Sequence, residues 1–205
     1  MKRHGRLWER VIDWQNLQVS FDRAKRGKTW QRTVQRAELD RHEILLSVQR
    51  QLREQTFTTS SYRHKKVHEP KERDIWILPF APDRIVQHAV VSVCAPLWNA
   101  TFDPGSFACR PGRGQHMAST RCMQAVRRYP WVMQADVRKF YPSIPHDRLL
   151  EVVARKIKDR RVLWLLEDIV RSFPGDRNLP IGNLTSQWLG AVYLDLLDRF
   201  VRHIL

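Results

Sequence analysis

The sequence has few cysteines and lacks a long hydrophobic run. Its three cysteines, Cys94, Cys109 and Cys122, are well separated and form no Cys-x-x-Cys pair, so they indicate neither a zinc ribbon nor a disulfide framework. No stretch approaches the roughly 18 apolar residues that a membrane span requires. The basic N-terminus lacks the apolar segment of a signal peptide. We therefore expect a cytoplasmic protein with reduced thiols and no membrane partner.

Acidic residues are also scarce relative to basic ones. The 205 residues include 36 Lys and Arg but only 21 Asp and Glu, which gives a net charge of +15. The hydrophobic fraction of 42% is enough to form a core, and the length suits one domain or two small lobes. A field this positive attracts polyanions. Nucleic acid is favoured over an anionic membrane, because no basic helix face backs a strongly apolar one.

The residue pattern predicts a chain rich in helices. Asn16 is the predicted N-cap of an early helix that stops near Gly27, and Asp40 with Glu43 forms a predicted capping box for the next. The remaining predicted elements are a hairpin with strands at about 62–67 and 75–78, helices at about 85–96, 115–128, 146–157 and 161–172, a buried strand at 131–136, and a long helix from about 184.

Two clusters of cations are candidates for binding nucleic acid. The first lies between the first two predicted helices, around Trp30. The second lies in a glycine-rich loop at residues 109–114. Either cluster could instead be an ordinary solvated surface, and both interpretations stay open. The candidate residues are Arg23, Lys25, Arg26, Lys28 and Arg32 in the first cluster, followed by Arg36, and Arg110 and Arg113 in the second.

Three later residues could take part in nucleotide chemistry. Asp136 ends the predicted strand, where a carboxylate could bind Mg²⁺ for phosphoryl transfer or could simply form a turn. Tyr141 could contact the sugar of a nucleotide or pack in the core. Gly182 could let a nucleotide or template base approach the backbone, or it could be an ordinary loop glycine.

The order of these motifs resembles that of bacterial reverse transcriptases over nearly the whole chain. Residues 69–89 resemble the fingers segment of that family, and residues 107–116 resemble the arginine- and glycine-rich block before the palm. Residues 135–144 resemble the first palm motif. Several motifs in the right order and spacing make a stronger signal than any one of them.

The resemblance implies roles for particular residues. Lys71 and Arg73 would hold the incoming triphosphate, for which two cations on a strand pair are well suited. Asp136 and the carbonyl of Val137 would be metal ligands, with two Mg²⁺ ions in a complete family active site. Tyr141 would be the steric gate that selects deoxynucleotides.

The last motif resembles one subfamily in particular. Most reverse transcriptases have Gln-Gly followed by a Ser-Pro pair, whereas here Ile181 precedes Gly182, and Gln187 stands in place of the proline. This pattern is similar to that of the reverse transcriptases of diversity-generating retroelements. There, an RNA template repeat is copied with errors at adenines, and Ile181 would account for the lower fidelity. A reverse transcriptase of the group II intron or retron type is the alternative.

The resemblance also implies the overall organisation. The expected fold is α+β and helix-rich, consisting of the fingers and a partial palm of a right-hand polymerase. Residues 1–55 would form an N-terminal helical basic region, 56–128 the fingers and 129–205 the partial palm. The implied partners are an RNA template, a DNA primer, deoxynucleoside triphosphates and a basic accessory protein of the retroelement.

One departure from the family pattern concerns the catalytic acids. The family also uses an aromatic-x-Asp-Asp motif, and the sequence contains no Asp-Asp pair. One carboxylate cannot hold two Mg²⁺ ions, so we expect a truncated chain that does not polymerise DNA on its own. A non-catalytic remnant that binds nucleic acid is the alternative from another class of protein.

Overall fold

The computed structural model describes residues 3–68 and 72–204, so Lys71, a predicted triphosphate ligand, lies outside the described residues. Ten α-helices, one short π-helical element (Phe80–Arg84) and one two-stranded antiparallel sheet form the described structure. The helices are α1 (Trp8–Val11), α2 (Trp14–Lys25), α3 (Arg32–Leu39), α4 (Arg41–Arg53), α5 (Ile85–Asn99), α6 (Gln115–Arg128), α7 (Phe140–Ser143), α8 (His146–Ala154), α9 (Arg160–Arg171) and α10 (Leu184–His203), and the strands are β1 (Arg63–Val67) and β2 (Arg73–Ile77).

Helix α5 is the centre of the hydrophobic core. It carries apolar residues on most of its surface, and such a helix is stable in water only when other elements cover it. Helices α1, α2 and α10 provide that cover. Val86 and Val90 of α5, Phe21 of α2 and Leu189 of α10 are all buried in one continuous core. Among the described residues, no helix is both long and apolar enough to cross a bilayer.

The first long helix begins earlier than the sequence predicts. The N-cap of α2 is Asp13, whose carboxylate accepts a hydrogen bond from the backbone N–H of Asn16. The predicted cap, Asn16, lies inside the helix instead. Its amide donates to the carbonyls of Val11 and Ala89, at 2.9 and 3.2 Å. The side chain that the local sequence assigns to capping is therefore used in partly buried hydrogen bonds to α1 and α5. Gly27, at φ +72°, follows the helix as predicted.

The predicted capping box at Asp40 is wrong. Helix α4 does begin directly after Asp40, but that side chain makes no capping hydrogen bond. Asp40 is also the C-cap of α3, a helix that the sequence analysis does not predict. Its backbone, at φ −95° and ψ 18°, lacks the extended conformation typical of an N-cap. The close succession of two helices explains the missing cap.

The predicted hairpin is confirmed, with Arg63 opposite Ile77 and Val67 opposite Arg73. Trp76 of β2 packs edge-on against Phe173, at 4.9 Å between ring centroids. Phe173 follows α9, so this contact fixes the base of the hairpin to the later half of the chain. Aromatic pairs of this geometry contribute about 0.5–1.5 kcal/mol beyond the area they bury.

The predicted strand at 131–136 is absent. The segment has no regular secondary structure and no strand partner, and Trp131 and Met133 are 89% and 80% exposed. A strand is stabilised by its hydrogen-bonded neighbours, and the two strands in the described ranges pair only with each other. Helix α6, which precedes the segment, forms as predicted but buries none of its residues. Apolar sequence alone therefore does not produce a strand here.

Helix α5 ends beyond its predicted limit near Pro96. The helix continues to Asn99, and the N–H of Ala100 closes its last turn by donating to the carbonyl of Pro96 at 3.1 Å. A proline so close to the end removes a single helical hydrogen bond, so the helix tolerates it.

Buried charges connect α10 to the loop after α5. Asp195 of α10 is 2% exposed and accepts a hydrogen bond from the backbone N–H of Asp103 at 2.8 Å. Its other oxygen lies 3.3 Å from Nζ of Lys156, which is 6% exposed. Burial lowers the pKa of Lys156, although the carboxylate of Asp195 opposes this shift. Arg199 and Arg202, one and two turns further along α10, pair with Asp195 and Asp103.

We predict that Asp195→Ala strongly destabilises the protein, by about 3–5 kcal/mol, because it leaves the ammonium group of Lys156 buried without a counter-charge. Urea denaturation measures the loss. Asp176→Ala, which removes an exposed carboxylate paired with its neighbour Arg177, is the control and should leave the stability almost unchanged. Equal effects of the two variants would show that the buried pair contributes little.

Candidate nucleotide and nucleic-acid site

The loop at residues 178–183 joins two of the predicted motifs. At one end, the N–H of Leu179 donates to the carbonyl of Tyr141 at 3.0 Å. At the other end, the carbonyl of Ile181 accepts a hydrogen bond from the N–H of Trp76 in β2, also at 3.0 Å. The loop thus links the palm-like segment containing Tyr141 to the hairpin that carries Arg73.

Gly182 is required by a close approach between two parts of the chain. Its φ of +120° is unfavourable for residues with a side chain, and a Cβ atom there would lie 2.9 Å from the carbonyl oxygen of Trp76. The sequence suggested that this glycine admits a nucleotide or template base. In the structure the nearest group is the backbone of β2, so packing within the protein is sufficient to explain the glycine.

Tyr141 is half-buried in α7. Its ring packs on α10 at Gly190, where a Cβ atom would lie only 3.0 Å from the ring, and it contacts Phe140 edge-on at 5.3 Å. Burial raises the pKa of the phenol. The core-packing interpretation of this residue therefore accounts for part of its surface, and the steric-gate role stays a prediction.

Asp136 and Val137 lie in the exposed segment before α7, where Val137 is 45% exposed. Within residues 3–68 and 72–204, no group of three His, Cys, Asp or Glu side chains is placed to hold a metal ion. Asp136 thus provides a single carboxylate. The described residues alone do not fit a site for two Mg²⁺ ions, because such a site needs several oxygen ligands from the protein.

The other predicted nucleotide ligands occupy exposed or partly exposed positions. Arg73 is the first residue of β2 and is exposed, without an ion pair to any described carboxylate. Gln187 is exposed in the first turn of α10, and Ile181 is half-buried beside β2. No described contact joins these side chains to Asp136, so their common site stays a prediction.

One pocket brings together three blocks that are distant in sequence. It has a volume of about 620 Å³ and lies between α2, α5, the glycine-rich loop and the start of α10. Arg23 and Arg26 come from the first basic cluster, Pro111 from the glycine-rich loop, and Leu184 from the 181–187 motif. Arg23 and Arg26 are exposed and lack ion pairs to described carboxylates. The pocket thus combines positive charge with an apolar wall.

Not all of the predicted nucleic-acid ligands face solvent. Lys25 is paired with Glu38 and Asp22, at 2.8 and 3.4 Å. Arg110 is 8% exposed, and its guanidinium donates inward to Asn99 and to the carbonyls of Asp103 and Ser106. A buried arginine of this kind shapes the glycine-rich loop from inside.

The other arginine of that loop has a different environment. Arg113 donates to the carbonyl of Pro104 and lies over the ring of Phe107, at 5.8 Å from its centroid. It is partly exposed. Arg113, together with Arg32 and Lys28 of the first cluster, keeps part of its charge accessible at the surface.

Sequence reasoning missed His88 and Arg84 as members of this basic region. Burial, together with Lys28, Arg23 and Arg84, lowers the pKa of His88 to about 4. The only sequence signal was the position of both residues at the start of a predicted helix, which gives no indication that cations surround them.

Comparison with solved structures identifies the type of fold. The chain resembles a chain of a partial Cas6-RT-Cas1–Cas2 complex, with a TM-score of 0.59 over 95% of this chain and 34% of that one. The sequence identity is 19%, so the likeness concerns the fold alone. The predicted fold class is confirmed: a helix-rich α+β fold like the fingers and partial palm of a reverse transcriptase.

Curated relatives of this chain include several proteins encoded in introns and Protein YkfC of Escherichia coli. The chain is 28% identical over 130 residues to an uncharacterized 91 kDa protein in the cob intron of Schizosaccharomyces pombe, covering 60% of this chain and 16% of the relative. It is 24% identical over 132 residues to the group II intron-encoded protein LtrA of Lactococcus lactis, covering 60% and 22%.

Protein YkfC of Escherichia coli is 28% identical over 139 residues, covering 60% of this chain and 36% of the relative. No family model matches the chain. The chain thus spans between 16% and 36% of the lengths of these three relatives. The similarities support a relationship with the reverse transcriptases and intron-encoded proteins.

We predict that Gly182→Ala destabilises the protein by about 2–3 kcal/mol and loosens the hairpin, because it combines backbone strain with a clash against Trp76. Gly112→Ala is the matched control. Gly112 also has a positive φ, of +68°, but no atom lies within 4 Å of its Cβ position. Unfolding free energies and hydrogen exchange at the Trp76 amide measure both effects. An equal loss in the two variants would leave only backbone strain as the cause.

We predict that His88 makes the protein less stable as the pH falls from about 6.5 to 4. The unfolded chain takes up a proton in this range, whereas the folded chain, with the pKa of His88 lowered to about 4, does not. Solvent screening of a half-buried ring limits the effect to roughly 1–2 kcal/mol. Denaturation of wild type and His88→Gln between pH 4 and 7 measures it. Parallel curves would contradict the prediction.

Proposed function

We propose that this chain forms part of an RNA-directed DNA polymerase and binds an RNA template with a DNA primer. The observation that carries the proposal is the 620 Å³ pocket, where two arginines of the first basic cluster and the glycine-rich loop meet the start of α10. Cations at its rim suit a phosphate backbone, and its apolar wall suits the faces of bases or sugars. The intron-encoded relatives and the reverse transcriptase-like fold support the same assignment.

The proposal gives each predicted nucleotide ligand a role. Arg73, with Lys71, would hold the triphosphate of a deoxynucleotide at the tip of the hairpin. Tyr141 would lie against the sugar and disfavour a 2′-hydroxyl. The loop at 178–183 would set the distance between these two contacts, because it is hydrogen-bonded to both segments.

Magnesium is part of the proposal, although the described residues do not complete a site for it. Bound Mg²⁺ would supply charge neutralisation during nucleotidyl transfer. Asp136 and the carbonyl of Val137 would contribute ligands in a complete active site.

For the subfamily, we propose the reverse transcriptases of diversity-generating retroelements, on the basis of Ile181 and Gln187. A basic accessory protein would then be a further partner. The group II intron type is a second candidate, and the relationship to LtrA favours it. In a complete enzyme that contains this segment and the remaining catalytic acids, errors concentrated at template adenines during RNA-templated synthesis would support the first candidate, whereas uniformly low error would support the second.

Nucleotide binding separates the polymerase proposal from a protein that binds nucleic acid without catalysis. We predict that the chain retains a deoxynucleoside triphosphate in the presence of Mg²⁺, and that Arg73→Gln weakens this binding about tenfold by removing a charged contact to phosphate. Equilibrium dialysis with a labelled nucleotide measures the affinity.

Arg53→Gln is the matched control, because Arg53 is an exposed arginine in the last turn of α4, outside the proposed site. Its affinity should equal that of the wild type. Binding of oligonucleotides without any nucleotide binding, or nucleotide binding that is insensitive to Arg73→Gln, would favour the non-catalytic alternative.

A further inference from the structure

A second pocket shares no lining residue with the 620 Å³ pocket. It has a volume of about 470 Å³ and is bounded by the turn between α2 and α3, by α3 itself and by the base of the hairpin. Four cations line it: Lys28 from the turn, Arg36 from α3, Arg63 from β1 and Arg84 from the start of α5. Its size is that of a small-ligand site.

The charges around this pocket are unbalanced. Within the described ranges, none of the four cations lies within 4.0 Å of a carboxylate, and Asp40, which also lines the pocket, makes no ion pair there. The side chain of Arg84 makes one long hydrogen bond, from Nε to the carbonyl of Leu78 at 3.5 Å.

Acidic residues are nevertheless available nearby. Asp22 and Glu38 pair with Lys25 and Arg41 at 2.8–3.4 Å, on another side of the same helices. The nearby acids Asp22 and Glu38 therefore pair with Lys25 and Arg41, and not with the cations that line the pocket.

Burial and repulsion between like charges both disfavour the charged state of the cations in this pocket. Burial lowers the pKa of Arg84, and burial together with the charge of Arg84 lowers the pKa of Lys28. An anion inside the pocket would relieve both the repulsion and the loss of hydration. Guanidinium groups on two walls can each present paired N–H donors to the oxygens of a phosphate.

We infer that the pocket lined by Lys28, Arg36, Arg63 and Arg84 binds a phosphate group. This inference rests on the proposed function for the source of that group, which is the backbone of a single-stranded nucleic acid. Arg36 and Arg63 are exposed, whereas Lys28 and Arg84 are half-buried. A strand crossing the mouth could therefore insert one phosphate between an outer and an inner pair of cations. A free phosphate shares the same chemistry and is distinguished by the experiment below.

The test compares the full 205-residue chain with the double variant Arg36→Gln/Arg63→Gln, which changes only exposed side chains. Binding of a labelled single-stranded oligonucleotide is measured by fluorescence anisotropy at several salt concentrations. We expect the double variant to bind about tenfold more weakly, with a slope of log affinity against log salt that is smaller by about 1. The control, Arg53→Gln, should retain the wild-type slope.

Calorimetric titration with inorganic pyrophosphate provides the second arm. Loss of pyrophosphate binding in the double variant, with an unchanged oligonucleotide slope, supports the phosphate site and assigns it to a free phosphate. A further outcome is that the wild type binds pyrophosphate but no oligonucleotide, with pyrophosphate binding lost in the double variant. That result would support the phosphate site and contradict the proposed function. If the double variant matches Arg53→Gln in both arms, the inference is overturned.

Discussion

The hydrogen bonds of the 178–183 loop are the constraint on which the candidate site depends. This loop is bonded to Tyr141 on one side and to Trp76 on the other, both at 3.0 Å. The hairpin has only two strands, and an isolated hairpin is marginally stable in water. Its position relative to the later helices therefore depends on this attachment and on the contact between Trp76 and Phe173. Arg73 is at the other end of β2, so its position in the proposed nucleotide site depends on the same contacts of Trp76.

A second constraint comes from charges buried beneath the glycine-rich loop. Asp195 holds the backbone of Asp103, and Arg110 binds the carbonyls of Asp103 and Ser106 from within. The loop is thereby shaped by an arginine that does not face solvent. In a basic protein, the arginines of one motif can thus have different roles: Arg110 supports the loop, while Arg113 remains partly exposed.

Local sequence predicted the elements whose stability is largely local. Helices α6, α8 and α9 and the hairpin follow from periodicity and turn residues, close to their observed bounds. The strand at 131–136 failed because a strand depends on a neighbour that a short sequence window cannot reveal. The cap at Asn16 failed because a contact with Ala89, far along the chain, uses that side chain. Most of the candidate site came from resemblance, and its geometry could not be read from periodicity.

The distribution of the net charge carries more information than its size. A value of +15 is compatible with many basic proteins, and it does not distinguish cations that stabilise the fold from cations free to bind a ligand. The structure separates the two groups. Lys25, Arg41 and Lys156 are paired with carboxylates, whereas Arg36 and Arg63 line a pocket in which neither makes an ion pair with a described carboxylate. Unpaired cations close together repel one another, and an anion between them would relieve this repulsion. The unpaired cations therefore mark the place where we propose that a phosphate group binds.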